Sequence, residues 1–236
     1  MNKSLWVRRA HRWLGLIFSL AVVTSAGSGI LHQVMTRTQS APPSVMPKGE
    51  GWDAGDIQVT VREAVSRLPN PGQKLTAVSI RQITGEPWYQ IFRQDEKTPH
   101  YVNAATGEPD SGRDEIYAAE IASRFLGAIP VRKTDYLTAF NTEYLNIFRI
   151  LPVYRFDADD GKETRVYVST MTGSVTRHTD KKRQFEAGIF SNFHKLAFIP
   201  NKDIRDLVLV GMTGGVLLAG IAGLALFFMT GFPRRR

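Results

Sequence analysis

Two stretches of this chain, Trp13 to Thr36 and Leu207 to Pro233, contain no Asp, Glu, Lys or Arg. Each is longer than the roughly 20 apolar residues with which an α-helix crosses the hydrocarbon core of a bilayer. Two membrane spans are therefore expected, with the residues between them forming a water-facing part. The +8 net charge fits this division. Lys3, Arg8, Arg9 and Arg12 precede the first run, and Arg234, Arg235 and Arg236 follow the second. With seven of the 30 basic residues at the ends, 23 stand against 22 acidic residues in between. The excess of positive charge is thus a topology signal, placing both termini in the cytoplasm and the middle in the periplasm of a bacterial inner membrane. Nucleic-acid binding, which a basic chain otherwise suggests, loses its support.

A cleaved signal peptide is the competing reading of the N-terminus, with Thr24-Ser25-Ala26 as the cleavage site. The apolar stretch continues to Met35, beyond a normal signal core, and argues for an anchor. With no cysteine, the chain has neither disulfides nor thiolate chemistry.

Between the spans, residues 37–57 are rich in Pro, Gly and Ser and read as a linker. "TVREAVSRL" follows, with Val61, Ala64, Val65 and Leu68 at helical spacing. Leu75 to Ile83 and Trp88 to Phe92 alternate as strands around Thr84-Gly85, and "HYVNAATGEP" closes the unit. The order then recurs. "DEIYAAEIASRFL" is a second amphipathic helix, and "LPVYRFDADDGKETRVYVSTMTGSV" holds paired strands with Asp160-Gly161 as a hairpin turn. Tyr101-Val102 followed by Thr106-Gly107 matches Tyr167-Val168 followed by Thr172-Gly173 in spacing. Two copies of one helix-plus-sheet module are implied, over residues 58–110 and 111–180. The fold class expected is an α+β membrane protein: spans at 13–36 and 205–233, basic tails at 1–12 and 234–236, and an interfacial amphipathic segment at 181–204.

The module resembles the PepSY domain, whose sequences end in a "yv...TGev" strand and turn. "YVNAATGEP" and "YVSTMTGSV" carry the likeness, the second lacking the acidic residue after its glycine. "RRAHRWLGLIFSL" with "SGILH" resembles the first membrane helix of the PepSY-associated transmembrane family, and "FSNFHKLAF" resembles that family's His-containing approach to its next helix. Many members have four spans where this chain has two. The resemblance implies a role in iron uptake, some members being haem-containing reductases of ferric siderophores or ferric iron.

The histidines give that expectation residues. His100 and His178 lie beside strands and turns of the middle, as exposed or core-edge side chains. His32 stands near the periplasmic end of the first span, with Ser25, Ser28 and Gly29 at i−7, i−4 and i−3 on one face. Small residues there allow helix approach or leave room for a flat ligand. His194 sits in "QFEAGIFSNFHKLAFIP", an aromatic segment suited to the membrane surface, on the same side as His32. Two imidazoles without a Cys or carboxylate cluster suit haem b, which needs only two axial ligands, better than four-coordinate zinc. His32 could pair with His194, or with His32 of a second subunit. His11 lies 21 residues before His32, roughly 31 Å along a helix, where a bis-His site would require a homodimer. Gly211, Gly215, Ala219 and Gly223 form a small-residue stripe that packs on the first helix or across such a dimer.

The function expected is that of a haem-binding electron-transfer protein that reduces periplasmic ferric iron or ferric chelates. No nucleotide-binding signature is present, which points to quinol or a membrane redox partner as electron donor. The alternative is a membrane-tethered PepSY module, without haem, that inhibits a protease or senses an envelope signal. No hydrolase motif supports a third reading.

Overall fold

The computed structural model describes residues 3–39, 42–46, 49, 51–148 and 150–230. The C-terminal tail at 234–236, the last residues of the expected second span and parts of the expected linker lie outside the described residues. The chain is α+β, with two long apolar helices toward its ends and two antiparallel sheets between them. It divides into two compact units, Met1–Ser40 with Lys182–Arg236, and Ala41–Lys181.

The first unit is built on helices. Helix α1 (Lys3–Thr38) has 36 residues and the chain's last helix, Lys202–Thr230, has 29. Both are long and apolar enough to cross a membrane. The two pack on each other through the small-residue stripe. A Cβ added at Gly215 would fall 2.1 Å from the Phe18 ring, and one at Gly223 would fall 3.0 Å from the His11 ring. Between them, the Ala219 carbonyl oxygen accepts a hydrogen bond from His11 Nδ1 at 2.9 Å. Three of the four stripe positions thus face α1 of the same chain, whereas Gly211 meets nothing within 4 Å.

The second unit holds the repeat. Helix α2 (Val61–Ser66) is short and is started by a capping box, with Thr60 Oγ1 accepting from the Glu63 amide and the Glu63 carboxylate accepting from the Thr60 amide. Strands β1 (Leu75–Ile83), β2 (Glu86–Arg93) and β3 (His100–Asn103) form the first sheet in that order. Helix α3 (Arg113–Phe125) is followed by β4 (Val131–Leu137), β5 (Val153–Ala158), β6 (Arg165–Ser169) and β7 (Ser174–Thr179), again in sequential order. The β1–β2 turn takes positive φ at both Thr84 (54°) and Gly85 (83°), as a tight hairpin requires.

The sequence repeat is a backbone repeat. Tyr101-Val102 lies on β3 and Tyr167-Val168 on β6, and each pair leads into a turn whose glycine has positive φ, Gly107 at 78° and Gly173 at 64°. Val102 then bridges Pro109 while Val168 pairs with Val175, both partners being seven residues on. After Val175 the second copy continues as a full strand, but in the first copy the pairing stops at a single bridge. Proline has no N–H to donate to a ladder, so Pro109 ends the strand that Val175 begins.

The amphipathic α3 supplies the main core of this unit. Its buried face, Tyr117, Ala118, Ile121, Ala122 and Phe125, packs against Ile83, Trp88 and Tyr101 of the first sheet and against Phe156, Val166, Val168 and Val175 of the second. Burial of each large apolar side chain there stabilises by about 1.5–3 kcal/mol. A smaller core, with Ala64, Leu68, Tyr89 and Ile91, lies between α2 and the first sheet.

Candidate functional site

The residues that single out the first unit lie where α1 meets the segment before the last helix. That segment is α4 (Lys181–Ile189) followed by a π-helical turn, Phe190–His194, after which α5 (Lys202–Thr230) begins. π-helical turns change the helical phase of the side chains that follow and are frequent at functional sites. Here the turn stacks the rings of Phe190 and His194, four residues apart, at 4.6 Å between centroids and 13° between planes.

Glu186 on α4 is the organising residue, at only 7% exposure. An unpartnered carboxylate this far from water would be strongly destabilising. Two side chains of α1, four residues apart, and that of Gln39 just beyond its end supply the partners. His32 Nδ1 lies 2.6 Å from Oε1, Thr36 Oγ1 donates to Oε1 at 3.3 Å, and Gln39 Nε2 donates to Oε2 at 2.6 Å. The Gln39 amide is held in that orientation because its Oε1 accepts from Arg183 Nε at 3.0 Å. The carboxylate oxygens accept from all three, so His32 carries a proton on Nδ1 and its Nε2 is left facing away from Glu186. No hydrogen bond engages Nε2 among the described residues, and the His32 side chain is 48% exposed.

His194 is held differently. Its Nδ1 lies 3.3 Å from Ser25 Oγ and 3.5 Å from Ser28 Oγ. The small-residue face beside His32, expected to allow helix approach or to give room for a flat ligand, is partly taken by His194. Phe190 also meets the His32 ring, at 4.9 Å between centroids, giving the contact series His32–Phe190–His194. Among the described residues His32 and His194 have no direct ring contact.

His11 lies elsewhere on α1. A carbonyl oxygen only accepts, so its bond to Ala219 fixes the proton on Nδ1 and ties α1 to α5. In the second unit, His100 Nε2 pairs with Glu96, and the His178 ring packs on Phe125 at 5.2 Å. The His100 pairing holds the Glu96 carboxyl below its ordinary range.

The donor set fits a haem iron at His32. A neutral imidazole with its Nδ1–H on a carboxylate and its Nε2 free is the usual form of a metal-bound histidine, the second-shell carboxylate fixing the tautomer and raising ligand basicity. The Phe190 ring, 4.9 Å from that of His32 between centroids, gives its surroundings the apolar character that a macrocycle favours. Glu186 was not foreseen from the sequence. It is the one acidic residue between Asp180 and Asp203, inside an otherwise apolar and basic stretch, and the 32/36/39 spacing of polar side chains faces it. Neither a family model, nor a curated protein, nor a solved structure matches this chain.

Proposed function

We propose that the chain is a haem b-binding electron-transfer protein of a bacterial inner membrane, similar to the PepSY-associated transmembrane family, that reduces periplasmic ferric iron or ferric chelates in support of iron uptake. The observation that carries the reading is the His32–Glu186 pair, which holds Nε2 of the imidazole outward from a buried carboxylate. Haem, when bound, supplies a one-electron carrier. His32 Nε2 would hold the haem iron, together with the same residue of a second copy, so the working form is a homodimer. Glu186, Thr36 and Gln39 keep the His32 ring in the ligating tautomer. Helices α1 and α5 cross the membrane with both basic ends cytoplasmic. The two-sheet unit is the periplasmic, PepSY-like part and offers a platform for the ferric substrate.

The test is the absorption spectrum of the purified full chain with and without dithionite. Sharp α and β bands are expected on reduction. His32→Ala abolishes them, Glu186→Ala weakens haem retention by about tenfold or more, and His11→Ala and His100→Ala leave them unchanged. A colourless preparation from haem-replete cells overturns the reading in favour of a tethered PepSY binding module.

A further inference from the structure

A cavity of about 360 Å³ opens between α1, the π-turn segment and α5, within the range of small-ligand sites, roughly 300–1,000 Å³. Its walls include Ala21, Ser25, His194, Met212 and Thr213, and no Asp, Glu, Lys or Arg lines it. Thr24, also in the wall, turns its hydroxyl back onto the Leu20 and Ala21 carbonyl oxygens at 2.8 and 3.3 Å. Two polar groups remain. The Thr213 hydroxyl and His194 Nε2 have no hydrogen-bond partner among the described residues. In helices that cross a bilayer, polar groups with no partner are costly, because lipid tails offer them none.

The uncharged wall narrows what can satisfy them. Ser28 donates its one hydroxyl hydrogen to the Ser25 carbonyl oxygen at 3.0 Å, so it can meet His194 Nδ1 only as an acceptor. The nearer Ser25 hydroxyl, at 3.3 Å, can donate or accept, so Nε2 meets a ligand as acceptor or donor according to the tautomer. A ligand here is uncharged, flat enough to lie among apolar side chains, and carries hydroxyl or carbonyl oxygens. A lipid headgroup phosphate would lack a cation in the wall, and an acyl chain would leave both polar groups unpaired.

We propose that this cavity binds the headgroup of a membrane quinol, with one ring oxygen hydrogen-bonded to His194 Nε2 and the other to Thr213. The inference rests on the reductase reading above, for which it supplies the electron donor. His194 is thereby a quinol contact, joined to His32 through Phe190 by ring contacts of 4.6 and 4.9 Å. One quinol gives up two electrons and two protons and leaves as quinone. The electrons reduce two ferric ions to ferrous in turn, and the protons pass to water.

The experiment titrates the full chain in phosphatidylcholine nanodiscs with decylubiquinone and, separately, menadione, read by calorimetry against protein-free nanodiscs. Saturable binding of either is expected. Thr213→Val should weaken it about fivefold, the value of one hydrogen bond, and His194→Leu by about tenfold or more, while Thr213→Val leaves the dithionite spectrum unchanged. No saturable binding of either quinone, or equal affinity in both variants, overturns the proposal even where the haem bands are present. Saturable binding sensitive to both variants in a chain without haem bands upholds the quinone site and overturns the reductase reading instead.

Discussion

Asp114 in the two-sheet unit and Glu186 in the helical unit are both carboxylates withdrawn from water, at 8% and 7% exposure, and both accept hydrogen bonds from neighbouring side chains. Asp114 accepts from the Tyr101 and Tyr154 hydroxyls at 2.7 and 2.9 Å. Tyr101 in turn accepts from Gln90, whose amide also donates to the Thr170 carbonyl and accepts from Ser79 and Arg81. Gln90 fills all four of its hydrogen-bond positions. This network closes on itself, and it ties β2, β3, β5 and the start of α3 into one arrangement. The network around Glu186 ends instead on an imidazole with an unused nitrogen. A closed buried network specifies a fold, whereas an open one leaves reactivity at its edge.

That contrast can be broken at its strongest point first. Asp114→Ala leaves the buried Tyr101 hydroxyl and the half-buried Tyr154 hydroxyl without an acceptor and should lower the stability of the two-sheet unit by about 4 kcal/mol. Guanidinium denaturation followed by near-UV circular dichroism measures this, and a loss below about 1 kcal/mol would remove the network's role as a clamp. Next come the two repeat turns. Gly173→Ala should destabilise by about 2 kcal/mol, because its φ is 64° and a Cβ would sit 2.7 Å from the Tyr117 hydroxyl. Gly107→Ala should cost about 1 kcal/mol, since its Cβ meets the movable guanidinium of Arg67. Equal losses would show that the turn conformation alone matters.

Alkaline titration probes the closed network more gently. Burial and the nearby Asp114 carboxylate push the Tyr101 hydroxyl far above its ordinary value of 10.0. Above pH 10 the unfolded chain releases this proton while the folded one keeps it, so the folded state binds more protons and stability falls as pH rises. The contribution is whole below about pH 10, and Tyr101 alone should remove about 1 kcal/mol between pH 10 and 11. Tyr101→Phe should flatten that part of the pH profile at the expense of stability at neutral pH. The smallest effect belongs to the open network. Glu186→Gln keeps a hydrogen-bonding group in place and should change stability by less than about 1 kcal/mol. Nitrogen NMR of His32 should nevertheless show both imidazole tautomers where the natural chain shows one.

Much of the two-sheet unit was legible because its strands alternate. Strand β1 spans the residues that the alternation marks, and the paired Thr-Gly turns fall at the same step in both copies. Strand β4 was not legible. "VRKTDYL" lies at a sheet edge with mostly exposed residues, so it lacks an apolar rhythm, and its pairing with β5 is what makes it a strand. At the candidate site the histidines were visible as titratable residues in apolar surroundings. Their partners were not, because Glu186 is 154 positions from His32 and nothing local in the sequence announces a contact of that span. The serine face beside His32 allows either the approach of another segment or room for a flat ligand, and a distant histidine takes part of it. Small residues mark where something can approach and leave open what does.

The shared seat of α3 has a consequence for how the chain is made. A ribosome delivers the first sheet before this helix, so Ile83, Trp88 and Tyr101 emerge with their apolar faces still uncovered. The first copy of the repeat therefore waits for the opening helix of the second before it is sealed. A chain cut after the first copy would carry that exposed face permanently, and the duplicated halves are no longer separable parts.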